Sequence, residues 1–318
     1  MNELHVNLAQ LDHDIVQIDV MYTGFPRISA SYLITKPVPV LIETGPKPSL
    51  PYILAALRRL QLKPEDLRYV ILTHIHLDHC GGAGTLLRQC PAATLIVHER
   101  GGRHLIDPAK LIAGTRQVYG EEFSRLFDRV DPVAPERLHM PADGEILNLG
   151  GGRTLTFLDT PGHSYHHLCI YDSLSQGIFC GDAVGLSYPD LADLGIPYYL
   201  PTSSPSQFNP QAMVQSLHKL AAHNPRCLFF THFGVACPAA EILNQTCPLI
   251  GKWVEIATAA YQVPGQWQDI AAALWRYHEQ DLLAKGAPAG HPALTWVKET
   301  LDISAKGLAH YLDTKDKQ

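Results

Sequence analysis

No stretch of this 318-residue chain approaches about 18 consecutive apolar residues, so no membrane span is expected. The opening segment, MNELHVNLAQLDHDIVQIDV, places acidic and polar residues where a signal peptide needs a basic start and an unbroken apolar run. Export is therefore disfavoured and a cytoplasmic protein is expected. Runs of Lys or Arg are also missing and the formal net charge is −6, so the chain shows no electrostatic footprint for nucleic acid. The seven cysteines (Cys80, Cys90, Cys169, Cys180, Cys227, Cys237, Cys247) are odd in number, scattered, and never spaced as CxxC. That argues against a disulfide framework or a zinc ribbon and reads as reduced thiols. Internal repeats and low-complexity tracts are absent as well. What the chain does have is 46% hydrophobic residues, enough for one large domain or a domain with an appendage, and 17 histidines.

Apolar segments separated by Gly and Pro (IVQIDVMYTG, ASYLITK, VPVLIET) predict short strands in the first 45 residues. LPYILAALRRLQ follows with helical spacing at Ile53, Leu57 and Leu60, and RYVILTH predicts a buried strand. GGAGTLLRQC reads as a helix start and ATLIVHE as another strand. Residues 99–136 are more polar and predict an inserted helical segment. TLTFLDTPGHS, HLCIYDSL, GIFCGDAVG and RCLFFTHFG predict four further strands, each ending near Gly, Asp or His. From about residue 237 the pattern turns helical: Ile270, Leu274 and Tyr277 share one face, and Leu294, Val297, Leu301, Leu308 and Tyr311 trace another stripe. The expected organisation is a domain over 1–236 and a helical extension over 237–318, whose stripes suit a cap over a pocket or a homodimer contact. The longest non-periodic stretch is the Pro-rich segment 188–210.

VILTHIHLDHCGG, residues 70–82, gathers three histidines and an aspartate within six positions. Alternate residues of an extended segment point the same way, so a strand leaving the core at Thr73 delivers His74 and His76 together, with Asp78 and His79 at the turn beyond. Neutral imidazoles and a carboxylate at this spacing suit a borderline divalent ion such as Zn, Mn or Fe. A polar loop would carry the same residues, so the rest of the chain decides. His163 in DTPGHS, Asp182 in FCGDAV and His232 in FFTHFG all fall at the C-terminal ends of predicted strands, the edge where ligand sites of layered α/β folds collect.

The full set, HxHxDH followed by a TPGH histidine, a GD aspartate and a late strand-end histidine, resembles the metallo-β-lactamase-fold hydrolase superfamily over roughly residues 15–236. The long insertion, the PGHSYHH form and the helical C-terminus are similar to a bacterial and archaeal subgroup of it. That resemblance implies an α/β fold, a four-layer αββα sandwich, with the helices after 237 as an extension. It further implies two divalent ions, zinc foremost with Mn or Fe as alternatives: His74, His76 and His163 on the first, Asp78, His79 and His232 on the second, and Asp182 bridging. Such a pair shares a hydroxide, the nucleophile of a hydrolase, and Asp78 and Asp182 are then the catalytic carboxylates. One departure stands out, because the usual Asp-x-Gly at the end of the early strand is here ETG, with Glu43 and Gly45. Glu43 is expected to hydrogen-bond the ligand loop rather than touch metal. His166 and His167 read either as supporting or substrate-contacting residues or as packing, Cys80 as a small buried residue, and His98 and His104 as non-ligands.

The same centre serves thioesters, lactones, β-lactams and phosphodiesters, so motif residues do not choose the substrate. The 99–136 insertion and the 188–210 loop are the candidate pocket walls, with Tyr188, Tyr198, Tyr199 and Phe208 as candidate contacts. Few clustered cations and a Tyr-bearing wall favour a small carbonyl substrate: a thioester, ester or lactone. Alternatives are a phosphodiesterase, for which Arg103 and Lys110 speak weakly, and a mononuclear-iron persulfide dioxygenase. A β-lactamase is disfavoured without an export signal. A non-catalytic binding protein is disfavoured by a complete and costly ligand set.

Overall fold

Ile15–Asp19 is buried along its whole length, which requires cover on both faces of a strand, and each face belongs to a different core. Two compact units divide the chain in this computed structural model, which describes residues 4–264 and 266–315. The first comprises Met1–Asp159, His166–Gly181 and Arg226–Val235; the second comprises Thr160–Tyr165, Asp182–Pro225 and Ala236–Gln318.

In the first unit a seven-stranded sheet runs in chain order through β1 (Leu8–Gln10), β2 (Ile15–Asp19), β3 (Ala30–Ile34), β4 (Val40–Ile42), β5 (Tyr69–Ile71), β6 (Thr94–Ile96) and β7 (Leu138–His139). The pairing is antiparallel from β1 to β4 and parallel from β4 to β7. Parallel neighbours need crossovers, and these are α1 (Leu50–Arg59), then α2 (Leu77–Cys80) with α3 (Ala83–Leu87), then α4 (Glu99–Ile106), α5 (Ala109–Tyr119) and α6 (Phe123–Phe127). The last three form the helical insertion expected over 99–136. A second, six-stranded sheet contains β8 (Ile146–Gly150), β9 (Arg153–Asp159), β10 (Leu168–Asp172) and β11 (Gly177–Gly181) in antiparallel order.

Strand alternation sorts the core. Val16, Ile18, Leu33, Leu41, Val70, Leu72, Leu95 and Val97 pack with the helices, alongside Ile53, Leu57, Leu86, Phe123 and Phe127. Ile15, Tyr32, Ile34, Val40, Ile42, Ile71 and Ile96 face the second sheet, meeting Leu155, Phe157, Leu168, Ile170, Phe179 and Phe229. A fully buried ion pair links β9 to β10 within the second sheet: Arg153 donates from Nε and Nη2 to Asp172 at 2.8 and 2.7 Å, and its Nη1 reaches the carbonyl oxygens of His13 and Lys36 in loops of the first.

The second unit holds the two-stranded ribbon of β12 (Leu186–Ser187) and β13 (Tyr199–Leu200), with α7 (Pro189–Ala192) between them, and then α8 (Pro210–Ala222). In chain order β14 (Cys227–Phe230), which pairs in parallel with β11, and β15 (Gly234–Ala236) complete the second sheet of the first unit. Three long helices close the chain: α9 (Ala239–Ala260), α10 (Trp267–Ala284) and α11 (Pro292–Thr314). Leu294, Val297, Leu301 and Leu308 are buried as their spacing predicts. Tyr277 is not, being 40% exposed, because the inward position one turn after Leu274 belongs to His278, which is 1% exposed. Cys80, Cys90, Cys169, Cys180 and Cys247 are free thiols, but Cys227 and Cys237 are disulfide-bonded, which corrects the reading of all seven as reduced. Linear spacing does not report which thiols meet in space. No helix among the described residues is long and apolar enough to cross a membrane.

Trp253 Nε1 donates to His278 Nε2 at 2.8 Å, and His278 Nδ1 lies 2.7 Å from the Tyr198 hydroxyl. Burial lowers the His278 pKa to about 4. The unfolded chain takes up this proton near pH 6.5 while the folded chain refuses it until about pH 4, so this residue's stability contribution is lost as pH falls through that window. His278→Gln, which keeps a donor and an acceptor, should remove roughly 3 kcal/mol of pH-dependent destabilisation between pH 6.5 and 4. Urea unfolding of both proteins across that range measures it; parallel curves would refute it.

Candidate metal centre

Val70, Ile71 and Leu72 are fully buried, so β5 is anchored in the core and the chain leaves it polar-first at Thr73. His74 Nε2 and His76 Nδ1 come within 2.9 Å of each other, as extended spacing requires. His76 then precedes α2, in whose first turn Asp78 and His79 sit. His232, two residues past β14, brings its Nε2 to 3.5 Å from Asp78 Oδ2, and His79 Nε2 lies 3.7 Å from the same oxygen. Ligand atoms of Asp78, His79 and His232 all fall within 4.8 Å of one another. Burial pushes the Asp78 carboxyl up, but the imidazoles of His79, His232 and His76 outweigh it and hold it below its ordinary value. Burial lowers His76 to about 4, keeping its ring neutral and its lone pair available near pH 7.

Glu43 is buried and its backbone takes φ +66°. Its Oε1 accepts from the Thr73 amide at 3.0 Å, the hydrogen bond to this loop expected of it, while its Oε2 lies 3.6 Å from His79 Nδ1, beyond hydrogen-bond distance. His167 stacks on His74 at 5.0 Å and His166 at 6.2 Å, which makes them a buried floor for the ligand histidines. Gly181 is needed here: at φ +48° a Cβ would stand 2.5 Å from Thr73 Oγ1 and 2.6 Å from His167 Nε2. Cys80 is buried, with its thiol on the Ile75 carbonyl. His98 caps α4 and pairs with Asp159 at 3.1 Å, away from any ligand role.

In the second unit the TPGH turn is clamped by α8. The Asn209 amide donates to Gly162 O, and the Ser216 hydroxyl donates to Pro161 O. A Cβ on Gly162 would sit 2.3 Å from Met213 Cα. His163 Nε2 lies 3.4 Å from Asp182 Oδ2, and both residues are buried. Thr202 sets the tautomer. Its hydroxyl donates to the Asp182 carbonyl at 3.2 Å, so it accepts at 2.6 Å from His163 Nδ1, which must carry the proton. The Nε2 lone pair is thereby presented on the Asp182 side, the form a metal ligand needs. A neutral His76 ring, the Asp78 carboxylate held below its ordinary value and a fixed His163 tautomer fit a borderline divalent ion, so both units carry donor sets of the right chemistry. Thr202→Val should weaken metal affinity about 10- to 100-fold with the helical content unchanged, as metal-buffered titration followed by circular dichroism would show. Unaltered affinity would mean Thr202 does not orient His163.

One residue at this centre besides Thr202 escaped sequence reasoning. Tyr22, from the short turn Tyr22–Gly24, is hydrogen-bonded to Tyr119 of α5. Burial first, then the Asp78 charge, raises its phenol well above 10, so it stays protonated. Of the aromatic residues expected as pocket contacts, Tyr198 has its hydroxyl 2.7 Å from His278 Nδ1, and Phe208 packs edge-on to Tyr311.

The sequence model of the metallo-β-lactamase superfamily matches residues 24–232. The chain belongs to that superfamily. A metallo-β-lactamase fold protein of Sulfurisphaera tokodaii, ST1585, is 27% identical over 183 residues, 55% of this chain and 63% of that protein. Its crystal structure superposes with a TM-score of 0.67 at 20% identity, covering 94% of this chain and 99% of that one. This likeness establishes the metallo-β-lactamase αββα fold with its C-terminal helical region. The acyl-coenzyme A thioesterase MBLAC2 of Gallus gallus is 30% identical over 130 residues, 36% of this chain and 40% of that protein. A structure of the chemotaxis sensor ODP with a peroxy diiron species matches with a TM-score of 0.55 at 15% identity, over 77% of this chain and 95% of that one. The chain thus spans less than two thirds of the length of each of these two curated relatives. Metallo-β-lactamase superfamily members are mostly metal-dependent hydrolases, and a divalent metal site is what these His and Asp clusters suggest.

Proposed function

We propose that the protein is a dinuclear metal-dependent hydrolase of small carbonyl substrates, with thioesters foremost. His74, His76 and His163 would hold one ion, Asp78, His79 and His232 the other, and Asp182 would bridge. The observation that carries this reading is the fixed His163 tautomer set by Thr202, together with the cluster of Asp78, His79 and His232, whose ligand atoms fall within 4.8 Å of one another. Bound there, two divalent cations lower the pKa of water towards neutrality and polarise a carbonyl oxygen. Asp78, held ionised by its histidine neighbours, orients water as a hydrogen-bond acceptor. Tyr22, kept protonated by burial and by the Asp78 charge, would donate to a substrate oxygen. The acyl-coenzyme A thioesterase relative supports a thioester over a phosphodiester, and Arg103, which would bind a phosphate, is turned to His104.

The test is hydrolysis of an acyl thioester, a lactone, an aryl ester and an aryl phosphodiester by zinc-, manganese- and iron-loaded protein. Turnover highest on the thioester is expected, and a phosphodiester preference would overturn the substrate class. Tyr22→Phe should lower kcat about 10- to 100-fold at unchanged metal content. An unaltered kcat would remove Tyr22 from the mechanism.

A further inference from the structure

The second unit contains a cavity of about 850 Å³ between the segment 195–200, the middle of α9 and the last turns of α10, and none of the residues proposed as metal ligands lines it. A cavity of this size suits a drug-sized molecule. Ile196, Leu200, Pro248 and Leu249 give it an apolar side, and Tyr198 and Tyr277 supply aromatic rings.

The polar side is built rather than incidental. Trp253, His278 and Tyr198 are linked in a buried hydrogen-bonded chain that ends on Asp281, to which Tyr198 is also hydrogen-bonded. Asp281 takes a second donor from Lys285, whose ammonium lies 5.2 Å from the Tyr198 ring centroid. Asp281 is therefore approached by donors from two sides. Lys285 spends one of its three N–H groups on it, and Lys252 likewise spends one on Glu255 at 3.1 Å. Each ammonium keeps N–H groups that its carboxylate partner does not take, and these are the donors that Lys252 and Lys285 offer the cavity.

The wall formed by α9 is also unusual as helix. Pro248 and Gly251 lie within one turn of it, both poor helix formers, and a Cβ on Gly251 would meet nothing within 4 Å. No packing partner requires that glycine, and it lines the cavity.

We propose that this cavity is a second small-molecule site, taking a ligand with an aromatic or otherwise flat apolar body and one anionic group. The body lies against Tyr198, Tyr277 and the apolar side, and the anion engages Lys285 and Lys252.

Anilinonaphthalene sulfonate and its uncharged counterpart phenylnaphthylamine form a matched pair of probes. Fluorescence titration of the full-length, metal-loaded protein should show one sulfonate probe bound per chain, at least about tenfold tighter than the neutral one. Gly251→Leu, which adds a side chain into open space and favours the helix, should weaken both probes about tenfold or more. The double variant Lys252→Met with Lys285→Met should abolish the preference for the sulfonate while leaving the neutral probe unchanged. Metal content of each variant, unchanged from wild type, verifies that the fold persists. Equal affinity for the two probes, or Gly251→Leu binding as wild type does, would overturn the site whatever the outcome at the metal centre.

Discussion

His76→Ala and Asp182→Ala should each lower turnover by roughly a thousandfold or more, about 4 kcal/mol of transition-state stabilisation, and each should bind fewer metal ions than wild type. The two substitutions act at different points. His76 is a neutral nitrogen donor in the first unit, kept so by burial that lowers its pKa to about 4. Asp182 directly follows β11 in the chain and stands 3.4 Å from the fixed His163 nitrogen, so its loss removes the only proposed bridging carboxylate. Neither residue is part of the apolar cores, and both variants should keep near-wild-type circular dichroism. Elemental analysis beside single-turnover kinetics makes the measurement. Full activity in either variant would refute the ligand assignment, and global unfolding of both would show that the residues are structural first.

The largest stability effect is expected far from this chemistry. Arg153→Ala should cost about 3–5 kcal/mol, because Asp172 would be left charged and fully buried. Ser175 donates to Asp172 from both its amide and its hydroxyl, which does not replace a guanidinium. The carbonyls of His13 and Lys36 lose a donor at the same time. Replacing both partners by apolar residues, Arg153→Met with Asp172→Leu, should recover part of the loss, since no isolated charge remains. Urea unfolding of the first unit's cooperative transition is the readout. A change below about 1 kcal/mol for Arg153→Ala would mean that water reaches Asp172.

The strands that cover both cores were legible because their apolar runs are bounded by Gly, Pro or Asp: β2 to β6, β9 to β11 and β14 all coincide with runs readable in the chain. The edge strands were not. β8 carries Ile146 at 62% exposure and ends on Gly150, and β1 and β7 span only Leu8–Gln10 and Leu138–His139, too short to show a period. α7, β12 and β13 lie in or beside the Pro-rich stretch read as aperiodic, where pairing rather than pattern makes the structure. At the metal centre the ligand-type residues announce themselves by chemical type at strand ends. Thr202 and Tyr22 could not, since a hydroxyl in a loop looks like any other until its partner is known. His278 took the inward position that periodicity alone assigned to Tyr277, because Trp253 and Tyr198 satisfy both of its nitrogens.

The central claim is that these His and Asp residues exist to hold two ions that make a hydrolase. Metal content per chain, on full-length protein purified without chelator and scored together with thioester hydrolysis, tests it most directly. About two zinc or manganese ions per chain, with activity lost on chelation and restored by metal, is the expected result. One iron per chain with no hydrolysis of any carbonyl substrate would contradict it.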